Sequence, residues 1–195
     1  MEFWSTGVVD NDPPTLHRSN TPIFCMNIVL VEPEIPPNTG NVARLCAATK
    51  TTLHLIEPFG FKLDDAQLKR AGMDYWQHVE WHRWPNWKAF EEKLPANARL
   101  WFVESGGSKI YTEVKFLADD YLVFGRETAG LPKQLLEQNR DRWLRIPMFN
   151  KQSRSLNLSN CAALVLFEAL RQQDFNGEIR ESSGRYSIEG FCKKG

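Results

Sequence analysis

Asn27-Ile28-Val29-Leu30-Val31, then Glu32-Pro33-Glu34-Ile35-Pro36-Pro37-Asn38-Thr39-Gly40, then Asn41-Val42-Ala43-Arg44-Leu45-Cys46-Ala47-Ala48-Thr49 is the stretch that decides the fold. Its first five residues are almost wholly apolar and β-branched, which marks a strand covered on both faces. The last nine place Val42, Leu45, Cys46 and Thr49 on one side of a helix. Between them, Pro36 through Arg44 reads as a polar, glycine-bearing loop. Strand, loop and helix in that order form the opening of a βα unit with a parallel sheet.

The same alternation continues along the chain. Leu53–Ile56, Leu100–Val103, Tyr121–Phe124 and Trp143–Ile146 read as further buried strands. Helical spacing recurs over Asp64–Ala71, over Trp87, Phe90, Glu91 and Leu94 (with Pro95 as a stop signal), and over Asn157–Gln172. The expected architecture is therefore α/β, a mostly parallel sheet with helices on both faces, over residues 26–175. Residues 1–25 are rich in turn formers and read as an N-terminal extension, with residues 176–195 as a tail. The chain has 195 residues and 42% hydrophobic content, enough to bury about 70% of its extended surface in one core.

Composition excludes several classes. Zero formal net charge with 25% charged residues is not histone-like or strongly acidic. Cys25, Cys46, Cys161 and Cys192 lie far apart, so neither a zinc knuckle nor a disulfide framework is expected, and reduced thiols in the cytoplasm are. No apolar run reaches the ~18 residues of a membrane span, and the N-terminus lacks a signal-peptide pattern. His78 and His82 are four apart but lack a third ligand, and no metal is expected. Neither a G-x-G-x-x-G after a strand nor a G-K-[ST] is present, which argues against nicotinamide and P-loop chemistry. Gly106-Gly107-Ser108-Lys109 reads as an ordinary flexible loop.

Three polar loops follow strand ends, where open α/β sheets place their ligands. They are Pro36–Arg44, Phe124-Gly125-Arg126-Glu127-Thr128-Ala129-Gly130-Leu131-Pro132, and Ile146-Pro147-Met148 through Ser153-Arg154-Ser155-Leu156-Asn157-Leu158-Ser159-Asn160. Residues 126–154 hold seven basic side chains against three acids on a neutral protein, so an RNA backbone is expected there, on Arg126, Lys133, Lys151 and Arg154. The last helix carries an apolar stripe (Leu158, Cys161, Ala162, Val165, Leu166, Ala169) and further apolar residues opposite (Ala163, Leu164, Phe167). A helix apolar nearly all round is buried on several sides, which points to a homodimer seam that includes Leu166.

N-T-G-N-x-x-R-L-C, F-G-x-E-T-x-G-L-P and I-P-M through S-R-S-L-N-L-S-N resemble the three signature loops of the SPOUT class of RNA 2′-O-ribose methyltransferases. The resemblance covers about residues 27–175 and is strongest to the small TrmL-type enzymes acting on the tRNA wobble nucleotide. It implies a C-terminal trefoil knot, an obligate dimer, S-adenosylmethionine as methyl donor and the anticodon loop of tRNA as substrate. It places donor-binding residues at Val103, Gly125, Ile146 and Ser155, with Met148 and Leu156 as apolar walls and Glu127 and Asn157 ordering the loops. It assigns catalysis to Arg44 with Asn41 nearby, either as proton acceptor or as phosphate holder and alkoxide stabiliser. Ala129 and Phe167 depart from residues common among relatives (Arg and Tyr). The alternatives are methylation elsewhere in tRNA or rRNA, and a non-catalytic knot protein that binds donor and RNA.

Overall fold

The computed structural model describes residues 26–61, 78–150, 152 and 155–179. Seven strands form one sheet: β1 (Asn27–Val31), β2 (Thr52–Ile56), β3 (Trp81–Trp84), β4 (Leu100–Val103), β5 (Lys109–Ile110), β6 (Tyr121–Phe124) and β7 (Trp143–Arg145). Their order is β3-β2-β1-β6-β4-β7-β5, and every pairing is parallel. The helices are α1 (Pro36–Thr49), α2 (Trp87–Glu91), α3 (Lys133–Gln138) and α4 (Leu158–Arg171). The helix expected over Asp64–Ala71 lies outside the described residues, as do Cys25 and Cys192.

Alternation along each strand divides the core in two. Ile28, Leu30, Leu53, Leu55, Leu122, Phe124 and Leu144 point to one face and pack against Val42, Ala43 and Cys46 of α1 and Ala162, Val165, Leu166 and Ala169 of α4. Val29, Val31, Ile56, Phe102 and Val123 point to the other, against Phe90 of α2 and Leu135 and Leu136 of α3. The result is a helix–sheet–helix sandwich, as the strand–helix alternation implies.

Three local expectations are corrected. Helix α1 begins at Pro36 rather than Asn41, because two prolines at N1 and N2 have the right φ and lack only N–H groups that a first turn leaves unbonded. The stretch that reads as a loop is therefore largely the helix's first two turns. Gly107 is no loose loop: a Cβ there would lie 2.5 Å from the Leu144 carbonyl carbon, so glycine lets this segment lie against β7. Leu166 is fully buried in the core of a single chain, so a charge there would test folding, not a seam between subunits.

His54, on β2, is buried beneath Trp84 and Phe90. Trp84 Nε1 donates to its Nδ1 at 3.2 Å, which puts the ring proton on Nε2, where it faces Asn27 Oδ1 at 3.2 Å. Burial pushes His54 down to about 3, and the neighbouring His82, stacked at 5.2 Å and itself lowered by burial, adds to the fall. The unfolded chain then binds more protons between about pH 3 and the ordinary histidine value of 6.5, so stability is complete above 6.5 and declines as pH falls. Lowering the pH from 7 to 5 is expected to cost about 2 kcal/mol through His54 alone. Urea denaturation at the two pH values checks this; an unchanged pH dependence in His54→Gln would refute it.

Candidate active site

The carboxyl ends of β1, β6, β4 and β7 lie side by side, and the segments leaving them surround a cleft of about 540 Å³. That is within the roughly 300–1,000 Å³ of small-molecule sites. Its walls come from Ile35 and Asn38 after β1, Val103–Ser105 at the end of β4, Phe124–Gly130 after β6, and Ile146, Met148 and Ser155–Asn157 after β7, with Leu158 and Cys161 of α4. All eight donor-binding residues expected from sequence line it: Val103, Gly125, Glu127, Ile146, Met148, Ser155, Leu156 and Asn157. Met148 and Leu156 are each 38% exposed, apolar surface that a flat apolar ligand group would cover.

The hairpin after β6 is stapled to the start of α1. Arg126 Nη2 donates to Glu32 Oε2 at 2.9 Å. The Glu127 carboxylate accepts from Glu34 N at 2.8 Å, Ile35 N at 3.3 Å and Asn38 Nδ2 at 3.0 Å. In return, Glu34 accepts from Thr128 N at 3.0 Å and from Thr128 Oγ1. Hydrogen bonds from Thr128 hold the Glu34 carboxyl below its ordinary range. Helix α1 has no side-chain cap of its own, since its N-cap is Ile35; Glu127 supplies a carboxylate to its positive end from 92 residues away.

Asn38 passes the connection onward. Its Oδ1 accepts from Asn157 Nδ2 at 2.8 Å, and Asn157 Oδ1 caps α4 by accepting from Ser159 N and Oγ. A chain Glu127–Asn38–Asn157 thus ties the three loops together, so Glu127 and Asn157 act by ordering the walls. Glu32, Glu34, Asn38 and Glu104 escape sequence reading; an uncapped helix start at Pro36-Pro37 is the one signal that a cap must come from elsewhere.

Gly125 is small for the sake of the hairpin itself. A Cβ there would lie 2.2 Å from Gly130 C and 2.3 Å from Leu131 N, so its small size admits the hairpin's own returning backbone. Gly130 has φ +67°, the left-handed region that favours glycine. The carboxylate of Glu104 reaches over this turn, accepting from Leu131 N at 3.1 Å with Oε2 and from Ser105 N and Oγ with Oε1. On the cleft floor, burial pushes the Cys161 thiol up to about 11, and the charge of Glu104 adds to the rise.

Asn41 and Arg44 do not line the cleft. They are exposed on α1, Arg44 six residues beyond Asn38 and hence about 9 Å further along the axis. Lys133 opens α3 and is exposed; Arg126 is committed to Glu32; Lys151 and Arg154 lie outside the described residues.

Comparison with known proteins identifies the family. Residues 25–167 match the SpoU rRNA Methylase family. The tRNA (cytidine(34)-2′-O)-methyltransferase of Saccharophagus degradans is 55% identical over 154 residues, 77% of this chain and 97% of that protein. The Aeromonas hydrophila enzyme of the same name is 47% identical over 157 residues, 80% and 99% of the two chains. A solved structure described as giving insight into 2-OH methylation of C/U34 on tRNA superposes with a TM-score of 0.73 at 43% identity, over 77% of this chain and 97% of that one. An AdoMet-bound rRNA methyltransferase from Sinorhizobium meliloti gives 0.67 at 25% identity, over 75% and 56%. The parallel sheet, the cleft at its carboxyl edge and these similarities together place the chain in the SpoU methylase family.

Proposed function

We propose that this protein transfers a methyl group from S-adenosylmethionine to the ribose 2′-hydroxyl of the wobble nucleotide, a cytidine or uridine derivative at position 34, of tRNA. The observation that carries this reading is the convergence of eight residues from separate strand ends on one cleft, in a chain about half identical to enzymes named for that reaction. The cleft suits the donor: Val103, Ile146, Met148 and Leu156 offer apolar walls for an adenine.

When bound, S-adenosylmethionine supplies a methyl carbon already activated by its sulfonium, so the protein's own work is positioning and charge stabilisation. Ribose O2′ must reach the mouth of the cleft and pass its proton to a phosphate oxygen of the RNA as the new C–O bond forms and the C–S bond breaks. Arg44, on the exposed side of α1, holds a backbone phosphate and stabilises the developing alkoxide, with Asn41 one turn before it. A guanidinium offers N–H donors and no acceptor, so Arg44 donates hydrogen bonds and does not accept the proton. Lys133, Lys151 and Arg154 supply further positive charge for the RNA backbone. An anticodon loop is a suitable target because its unstacked bases are accessible.

The catalytic body spans 26–175, between an extension (1–25) and a tail (176–195), with the family's trefoil knot and a cytoplasmic setting. No described helix is long and apolar enough to cross a membrane. A homodimer is supported by the outer side of α4, where Leu164 is 42% and Phe167 48% exposed beside a fully buried inner stripe. Phe167→Glu is expected to shift sedimentation from dimer toward monomer at micromolar concentration while leaving the melting profile of the chain cooperative; an unaltered dimer would move the seam elsewhere.

The reaction is tested by incubating the protein with labelled methyl donor and total tRNA from a strain lacking the activity, then mapping the modified nucleotide. Label on the ribose of nucleotide 34 is the expected result. Label on a base or on another position, or donor binding without turnover, would overturn the reading.

A further inference from the structure

The charges in the cleft are unevenly matched. Among the described residues three charged side chains line it: Glu104, Arg126 and Glu127. Arg126 is neutralised by Glu32 outside the cleft. Glu127 is satisfied by two backbone N–H groups and an amide at the positive end of a 14-residue helix. Glu104 has neither kind of support. Its three donors are the N–H groups of Ser105 and Leu131 and the Ser105 hydroxyl, all uncharged, and among the described residues no Lys or Arg forms an ion pair with it. An ionised carboxylate accepts at about four lone-pair sites, so the described residues leave one of them open.

We propose that Glu104 is the counter-charge for the sulfonium of the methyl donor, and that it makes the cleft prefer the cationic donor to its neutral thioether product. The inference rests on S-adenosylmethionine being the ligand of this cleft. A half-enclosed carboxylate attracts a cation much more strongly than an uncharged sulfur of the same shape. The attraction exists before methyl transfer and vanishes after it, because the sulfur leaves with the electron pair of the broken C–S bond and loses its charge. Glu104 therefore favours loading and product release. It is a binding residue for the donor and takes no proton in the reaction.

Isothermal titration with three probes reads this directly: S-adenosylmethionine, S-adenosylhomocysteine, and sinefungin, whose ammonium group replaces the sulfonium. In Glu104→Gln, affinity for the two cationic ligands is expected to fall about ten-fold or more while S-adenosylhomocysteine stays within about two-fold. Glu104→Asp, which keeps the charge, is expected to keep the preference. Should the Gln variant not fold, Glu104→Ala is read by the same affinity ratio. An equal loss for all three ligands would reduce Glu104 to a tie between the β4 end and the hairpin, and an unchanged ratio would likewise overturn the proposal. If the wild-type protein binds none of the three, the donor reading itself falls and this inference with it.

Discussion

Gly125→Ala is expected to abolish donor binding, with an affinity loss of about 100-fold or more and a stability loss of about 3 kcal/mol. The added methyl would lie 2.2 Å from Gly130 C, 2.3 Å from Leu131 N and 2.5 Å from Gly130 O. All three are backbone atoms, so no side-chain rotation relieves the clash. The hairpin must open, breaking the pair Arg126 N to Gly130 O (3.1 Å) and Gly130 N to Arg126 O (2.9 Å). Its displacement also pulls Glu127 and Thr128 from their partners on the β1–α1 segment, so the cleft loses two walls together. Titration with S-adenosylmethionine and urea denaturation measure the two effects. Gly106→Ala is the control: a Cβ there meets nothing within 4 Å, and its stability change should stay within about 0.5 kcal/mol. Donor binding that survives in Gly125→Ala would mean that the hairpin does not form the wall.

Gly125 also separates what the sequence discloses from what it does not. Buried strands disclose themselves because a parallel strand covered on both faces is an unbroken apolar run, as in β1 and β6. Their carboxyl ends then locate the ligand loops, and the eight expected donor residues do meet in one cleft. Contacts between loops are another matter. Nothing local to Glu127 says that its carboxylate caps a helix 92 residues earlier, or that Asn157 reaches back 119 residues to Asn38. Short elements escape for a related reason. β5 has two residues and α3 has six, too few to express a period, and their place comes from packing against β7 and the second core. The last helix misleads in the opposite way. Its inner stripe looks like an interface, yet Leu166 is consumed by the core, and only the two large apolar residues opposite remain open.

Arg44→Ala is expected to lower turnover by about 10²–10³-fold while leaving donor affinity within about two-fold. The split follows from position. Arg44 stands on the solvent side of α1, about 9 Å along the axis from Asn38, the last residue of that helix to line the cleft. From there a guanidinium can meet RNA approaching the mouth but has no part in holding the donor's adenine. If it grips a phosphate, removing it should also reduce the slope of log affinity for tRNA against log salt by about one. If it serves only the developing alkoxide, turnover falls and the slope stays. Arg44→Lys sharpens the distinction, because an ammonium keeps the charge and loses the planar two-pronged geometry. A phosphate contact made by charge alone would then survive in the salt slope, while an alkoxide held by a fixed pair of N–H groups would not recover its rate. Single-turnover kinetics with donor titration and filter binding across salt concentrations supply all three numbers. A large loss of donor affinity in Arg44→Ala would show that α1 bears on the cleft itself, and the division between a donor pocket and an RNA-facing helix would have to be abandoned.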